Sequence, residues 1–236
     1  MCFLMFPVFC QDRKYYDQDG YEVSSLELCH HYKVVDHSDP DTNKVVEREY
    51  YKLGQIKAEK TFNPYKQKVL HGKRKEWFEN GKVKRDMEYR NGNLNGQLFT
   101  YWENGIMKRK DSYLDGKLIE GKVWNSDGSE ATYYDFEISP EFPGGFDKLA
   151  EYLGRKVKYP KKSRRKGIEG RVLVRFTVQK DGSITNVRVA ESANEELDAE
   201  AVRVVKKMPD WTVGMEDGEK VRIGINLPIN FRIRLD

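Results

Sequence analysis

This chain of 236 residues is poor in the features that usually announce chemistry. It has three cysteines, Cys2, Cys10 and Cys29, so no disulfide framework can staple its body. It has four histidines. Three of them, His30, His31 and His37, lie near Cys29 in the one grouping with metal-ligand character. Adjacent residues on a strand point to opposite faces, so His30 and His31 are badly placed to ligate one ion together. There is no Walker A sequence, no HExxH and no GxSxG. No carboxylate pair stands out as an acid and base, so no enzyme, cofactor or metal is expected. Charge of one sign is also lacking: 42 Lys and Arg against 38 Asp and Glu leave a net +4, which favours no particular partner. The eight prolines are scattered rather than gathered into an extended spacer. Long apolar runs are missing apart from the opening MCFLMFPVFC, which is too short to span a bilayer.

That opening run has the length of a signal-peptide apolar region, and the chain turns polar at Gln11. Val8 and Cys10 are small enough to precede a cleavage point there. The positively charged start is missing, which places a natural start or anchor upstream. A lipid-modified Cys10 fits less well, because Phe9 is bulky. The competing reading is a buried first strand. Asp17, Asp19 and Gly20 have the look of a calcium loop, but Leu28 stands where a bidentate glutamate is needed. A hairpin turn accounts for them better, and Asp39, Asp41 and Asn43 read as a polar loop.

What the sequence does have is repetition. HGKRKEWFENGKVK from His71, NGQLFTYWENGIMK from Asn95 and EGKVWNSDGSEA from Glu120 each run from a polar-Gly start through an aromatic to a turn. Gly72, Gly96 and Gly121 recur every 24 or 25 residues, and the turn glycines are Gly81, Gly105 and Gly128. Asn-Gly and Asp-Gly favour the turns that join tight hairpins. A single hairpin is marginal, whereas stacked copies share a buried stripe. Weaker copies begin at Tyr15 and Tyr50. Trp77, Trp102 and Trp124 suit cross-hairpin packing better than a sugar or peptide platform. The expectation is an all-β domain of repeated hairpins over residues 11–135. Between about Tyr50 and Tyr134 it resembles MORN-type repeats, in their bacterial envelope variant.

FEISPEFPGG, residues 136–145, is rich in Pro and Gly and reads as a linker. Beyond it, 146–236 reads as an α+β domain. A helix is expected from Phe146, with Phe146, Leu149, Ala150 and Leu153 on its buried face and Gly154 as its stop. A basic loop or broken helix follows. Next come a hairpin turning at Asp181-Gly182 and a helix marked by Leu197, Ala201, Val204, Val205 and Met208 that ends at Pro209. One long last strand from Val221 would be interrupted by Pro228.

Several motifs stand in order here: PEFPGG, Tyr152-Leu153, Tyr159-Pro160, Gly167-Ile168-Glu169-Gly170, VLVRFTVQKDGSITNVRV, Leu197-Asp198, Glu200-Ala201, Met208-Pro209, Trp211 and LPINF. Together they resemble the TonB C-terminal domain. Val213 departs from that family, which usually has proline before the glycine at 214. The resemblance implies a three-stranded antiparallel sheet with helices, in a periplasmic or cell-envelope protein of Gram-negative type. It implies capture of an extended segment, the TonB box, of an outer-membrane transporter by β-strand addition. The contact residues so implied are Lys158, Tyr159 and Pro160, and on the last strand Val221, Ile223, Ile225, Leu227, Pro228 and Asn230. Proline is tolerated mainly at strand edges, which favours this strand as the open one.

From Arg155 to Lys166 every charged residue is basic: Arg155, Lys156, Lys158, Lys161, Lys162, Arg164, Arg165 and Lys166. This candidate electrostatic patch would steer an acidic face or keep a loop solvated. An envelope location argues against nucleic acid, and contact with a membrane would come through partners or an upstream anchor. The alternative to transporter binding is a structural protein that associates with itself through strand edges.

Overall fold

A computed structural model of the protein describes residues 13–18, 20–39 and 44–233. The expected leader and its cleavage point lie outside them, as do Asp19, Asp41 and Asn43. The chain divides into two compact units, between Tyr133 and Tyr134.

The first unit is an 11-stranded antiparallel sheet. Its strands are β1 (Lys14–Tyr16), β2 (Glu22–Val23), β3 (His31–Asp39), β4 (Lys44–Tyr51), β5 (Ile56–Phe62), β6 (Leu70–Trp77), β7 (Val83–Arg90), β8 (Asn93–Tyr101), β9 (Met107–Leu114), β10 (Lys117–Trp124) and β11 (Glu130–Ala131). From β3 to β11 each strand pairs with the next in sequence, and β1 then β2 extend the β3 edge.

Two kinds of turn alternate. At one end Gly54, Gly81, Gly105 and Gly128 all have positive φ. Their turns are closed by Tyr51 N–H to Gln55 O (2.8 Å), Phe78 to Lys82 (2.9 Å), Trp102 to Ile106 (2.8 Å) and Asn125 to Ser129 (2.8 Å). At the other end Asn91-Gly92 and Asp115-Gly116 put both central residues at positive φ, the two-residue geometry that matches strand twist.

Each turn is also bonded to its neighbour one repeat away. Asn80 Nδ2 donates to Glu103 O (3.2 Å) and Asn104 Nδ2 to Ser126 O (2.9 Å). Trp102 Nε1 donates to Trp124 O at 3.0 Å. At the opposite end Gly92 N–H reaches Leu70 O, and Gly116 N–H reaches Leu94 O, both at 2.8 Å. The repeat-initial glycines have their own cause. Gly72 and Gly96 hold positive φ, which a side chain disfavours, and a Cβ on Gly96 would lie 2.6 Å from the Glu88 carboxylate. A Cβ on Gly121 would lie 2.4 Å from the Tyr133 ring and 2.6 Å from the Asp111 carboxylate.

One face of this sheet buries charge. A cross-strand row runs Lys33, Glu49, Ala58, Glu76, Arg85, Thr100, Arg109 and Val123. Arg109 and Asp111 are fully buried and paired at 2.7 Å. Glu76 takes Arg74 at 2.6 Å and Arg85 at 3.4 Å. Glu49 takes Lys60 at 2.9 Å and Lys33 at 3.3 Å. Burial alone would raise the Glu49 pKa, but Lys60, Lys33 and Lys57 outweigh it and bring it to about 2. His31 goes the other way for a base: burial first, then Lys57, lowers it to about 4.

The second unit holds two small sheets and three helices. Its elements are β12 (Glu137–Ile138), α1 (Gly145–Lys156), α2 (Lys161–Arg165), β13 (Gly170–Val178), β14 (Ile184–Glu191), α3 (Glu195–Val205), β15 (Gly214–Glu216), β16 (Glu219–Val221) and β17 (Ile223–Phe231). The main sheet has the order β14-β13-β17 and the minor one β12-β15-β16. Val172, Val174, Phe176 and Val178 of β13 bury with Leu227, Ile229 and Phe231 of β17 against Leu149, Leu197, Ala201 and Val205 of the helices. Asn194 caps α3 by accepting from Glu196 N–H at 3.1 Å.

Four expectations need correction. Residues 136–145 are part of the second unit, because Phe136 is buried, Phe142 joins the core beside Trp211, and β12 pairs with β15. Of the face expected to be buried on α1, Phe146 is 81% exposed and Ala150 is exposed too, whereas Phe142, before the helix, is buried. Gly154 does not stop α1, which runs on to Lys156. The last strand is two strands: Val221 pairs with Gly214 in the minor sheet, and β17 begins at Ile223 and continues through Pro228.

Two outcomes follow from this packing. Gly121→Ala should destabilise the first unit by roughly 1–3 kcal/mol, since the methyl meets a ring and a carboxylate. Gly81→Ala, in open space at positive φ, should cost about 1–2 kcal/mol through backbone strain alone. Thermal unfolding of the two variants checks this. Stability should also fall with acid in two steps. Both groups bind protons more weakly folded than unfolded, so their contribution is full above their unfolded values, 6.5 for His31 and 4.5 for Glu49. It is lost as pH falls through about 4 and then about 2. In a pH series of unfolding midpoints, His31→Gln should remove roughly 2–3 kcal/mol of the loss in the upper step.

Candidate peptide-binding edge

Among the described residues β17 lies at the edge of the main sheet and pairs on one side, with β13, in unbroken register from Gly170↔Phe231 to Val178↔Ile223. Pro228 stands opposite Leu173. A proline has no N–H to give, so this position belongs to a pair that exchanges no bonds with β13. Alternation then turns the backbone groups of Gly224, Asn226, Pro228 and Asn230 toward the open side. Those residues are exposed, whereas Leu227, Ile229 and Phe231 are buried. Of the expected contacts, Ile225 and Leu227 therefore serve the core with their side chains, and half-buried Ile223 lies against Gly214. Pro228 and Asn230 lie on the accessible side, and Val221 lies outside this strand.

A groove of about 420 Å³ runs beside the open edge, lined by Leu153, Gly154, Val157, Tyr159, Pro228, Asn230 and Arg232, among others. Its floor is fixed from both sides. The Tyr159 hydroxyl donates to Ile168 O at 2.6 Å, and its ring meets Phe231 edge-on at 5.8 Å. Burial raises the Tyr159 pKa, with Glu169 adding to it. Lys158 N–H donates to the Glu200 carboxylate at 2.7 Å. Arg203 Nη2 donates to Lys156 O at 2.9 Å. The chain between α1 and α2 is thus tied to α3, and Pro160 leads into α2. Tyr159, Pro228 and Asn230, far apart in sequence, meet at one groove. Gly154, Val157 and Arg232 complete it. Their signal was faint, since it lay in the tail of α1 and past the final strand rather than in a motif.

The basic run splits by role. Arg155 pairs with Glu151 at 3.5 Å and Lys162 with Glu196 at 3.7 Å. Lys161, Arg164 and Arg165 line one shallow recess on α2, and Lys166 caps that helix. Ser163, between them, is buried and donates to Glu196 at 2.7 Å, which lowers the Glu196 pKa.

Residues 155–233 match the family described as Gram-negative bacterial TonB protein C-terminal. The second unit is a TonB-like C-terminal domain. Residues 70–91 and 94–115 match the MORN repeat variant. Protein TonB of Helicobacter pylori strain J99 is 36% identical over 95 residues, 37% of this chain and 33% of that protein. Protein TonB of strain 26695 is 31% identical over 109 residues, 46% of this chain and 36% of that one. The chain therefore spans about a third of the length of these curated relatives. Two NMR solution structures of the Helicobacter pylori TonB-CTD align with 38% of this chain. The first is 26% identical, covered to 81%, with a TM-score of 0.31, and the second 29% identical, covered to 95%, with a TM-score of 0.30.

Among the described residues no helix is long and apolar enough to cross a membrane.

Proposed function

We propose that the TonB-like unit captures an extended peptide, the TonB box of an outer-membrane transporter, by adding it as a strand to the open side of β17. The protein would do this in the periplasm, as an adaptor whose repeat unit serves as a scaffold. The observation that carries this reading is the edge itself. By the register with β13, Asn226 and Asn230 turn their backbone donors and Pro228 its carbonyl to the side on which no described strand pairs, and the groove walled by Val157 and Tyr159 runs alongside for side chains of the guest. Main-chain bonds supply affinity in such a mode, and the groove supplies selectivity. The basic residues 155–166 flank the groove and would speed encounter with an acidic partner face.

The test is fluorescence anisotropy of labelled TonB-box peptides, from transporters of the same organism, titrated with the full chain. Asn226→Pro and Asn230→Pro each delete one outward N–H without touching the ladder to β13. Each should weaken binding about fivefold, the worth of one backbone hydrogen bond of ~1 kcal/mol, while thermal unfolding stays close to the parent. Unchanged affinity in both variants would refute strand addition at this edge.

A further inference from the structure

The outer face of the main sheet, turned away from the helices, carries an arginine without a counter-charge. β13 sends Val172, Val174, Phe176 and Val178 into the core, so the residues between them face the other way. Arg175 is one of these, exposed, on the central strand. Directly opposite it stand Arg188 on β14 and Asn226 on β17. Like charges so placed repel. Among the described residues neither arginine is in an ion pair. The Arg175 side chain leans away from Arg188, toward β17. Its Nη2 and Nε lie 3.7 and 3.9 Å from the place a Cβ on Gly224 would take. The guanidinium therefore rests over Gly224, on the strand whose far side is open.

Gly224 has no local reason to be a glycine. Its φ is not positive, and a Cβ there would make only ordinary van der Waals contact. Glycine weakens a strand interior and often marks the close approach of a ligand or another backbone. Here the missing side chain leaves the guanidinium open toward the outer edge.

We propose that Arg175 selects the guest, by pairing with a carboxylate on the residue of the added strand that stands opposite Gly224. The inference rests on strand addition to β17. Gly224, like Asn226, turns its backbone groups to the open side. Residues opposite each other in a ladder share a face, so the guest residue beside Gly224 presents its side chain on the outer face. Strands lie about 4.8 Å apart, which brings an aspartate or glutamate there within reach of the guanidinium. A lysine or arginine there would add a third positive charge to Arg175 and Arg188. The groove beside Tyr159 lies toward the other end of β17, at Pro228 and Asn230. A guest held by a groove at one end and by a charge at the other is fixed in register and direction.

An aspartate scan tests this. One TonB-box peptide from a transporter of the same organism has its acidic residues replaced by asparagine, and single aspartates are then placed at each position in turn. Fluorescence anisotropy with the full chain at low salt should find one position where aspartate binds about threefold tighter than asparagine, the worth of an exposed ion pair. High salt should erase the difference. Arg175→Gln should abolish it and leave affinity for the neutral peptide unchanged, and Arg175→Glu should turn it into a preference for lysine. The neutral peptide reports on the edge itself, since Asn226→Pro should weaken it. If it does, and no position favours aspartate or the preference survives Arg175→Gln, the inference is overturned while strand addition stands. An equal preference at every position, lost in Arg165→Gln instead, would assign the effect to the basic residues of α2 and overturn it as well. A neutral peptide indifferent to both Asn226→Pro and Asn230→Pro would remove strand addition and this inference together.

Discussion

A strand edge carries backbone donors and acceptors that must be satisfied, and most of this molecule is organised by how that requirement is met. In the first unit each hairpin is completed only by the next. The turn bonds make the dependence explicit: Asn80 to Glu103, Asn104 to Ser126, Gly92 to Leu70 and Gly116 to Leu94 each cross from one hairpin to its neighbour. Gly121 keeps room for Tyr133, Gly96 for Glu88, and Gly72 and Gly96 both hold positive φ. Where the series stops, β11 closes only part of the edge. In the second unit β17 is the outer strand of a sheet of three, with its far side turned to a groove.

The interior of the repeat sheet is charged, and pairing within and across strands holds it. The buried residues of this sheet mix Met87, Leu98 and Val123 with Arg109, Asp111 and Arg85, and Glu76 pairs among them. Removal of one partner would leave a buried charge uncompensated, which is costly. Conformational specificity is therefore spread along the sheet rather than concentrated in one core, whereas the TonB-like unit keeps an ordinary apolar core around Phe176 and Trp211.

Much of this was legible in the sequence. Asn-Gly and Asp-Gly turns, repeat spacing and period-two alternation each have a local cause, and each predicted its element. The errors arose where tertiary contacts overrode local pattern. Phe146 has helical spacing with Leu149 and Leu153, yet Phe142, from a segment rich in Pro and Gly, takes the buried place beside Trp211. Val221 continues the alternation of Ile223 and Ile225, but Asp217-Gly218 forms a tight turn that draws it into the minor sheet. The buried ion pairs could not be foreseen, because Arg109 and Asp111 alternate like any solvent-facing pair and only the register shows what covers them. For the peptide edge, Tyr159, Pro228 and Asn230 were marked by the resemblance, while Val157 and Arg232 emerged only from the folded groove.

The central claim is that β17 offers its outer backbone edge to an extended guest. Amide hydrogen exchange of the full chain, with and without a saturating TonB-box peptide, tests it most directly. Leu227 and Ile229 amides, already bonded to β13, should be protected in both states. Asn226 and Asn230 amides should exchange freely without peptide and become protected with it. Protection that leaves Asn226 and Asn230 unchanged, or that appears only along the basic residues 155–166, would contradict the account.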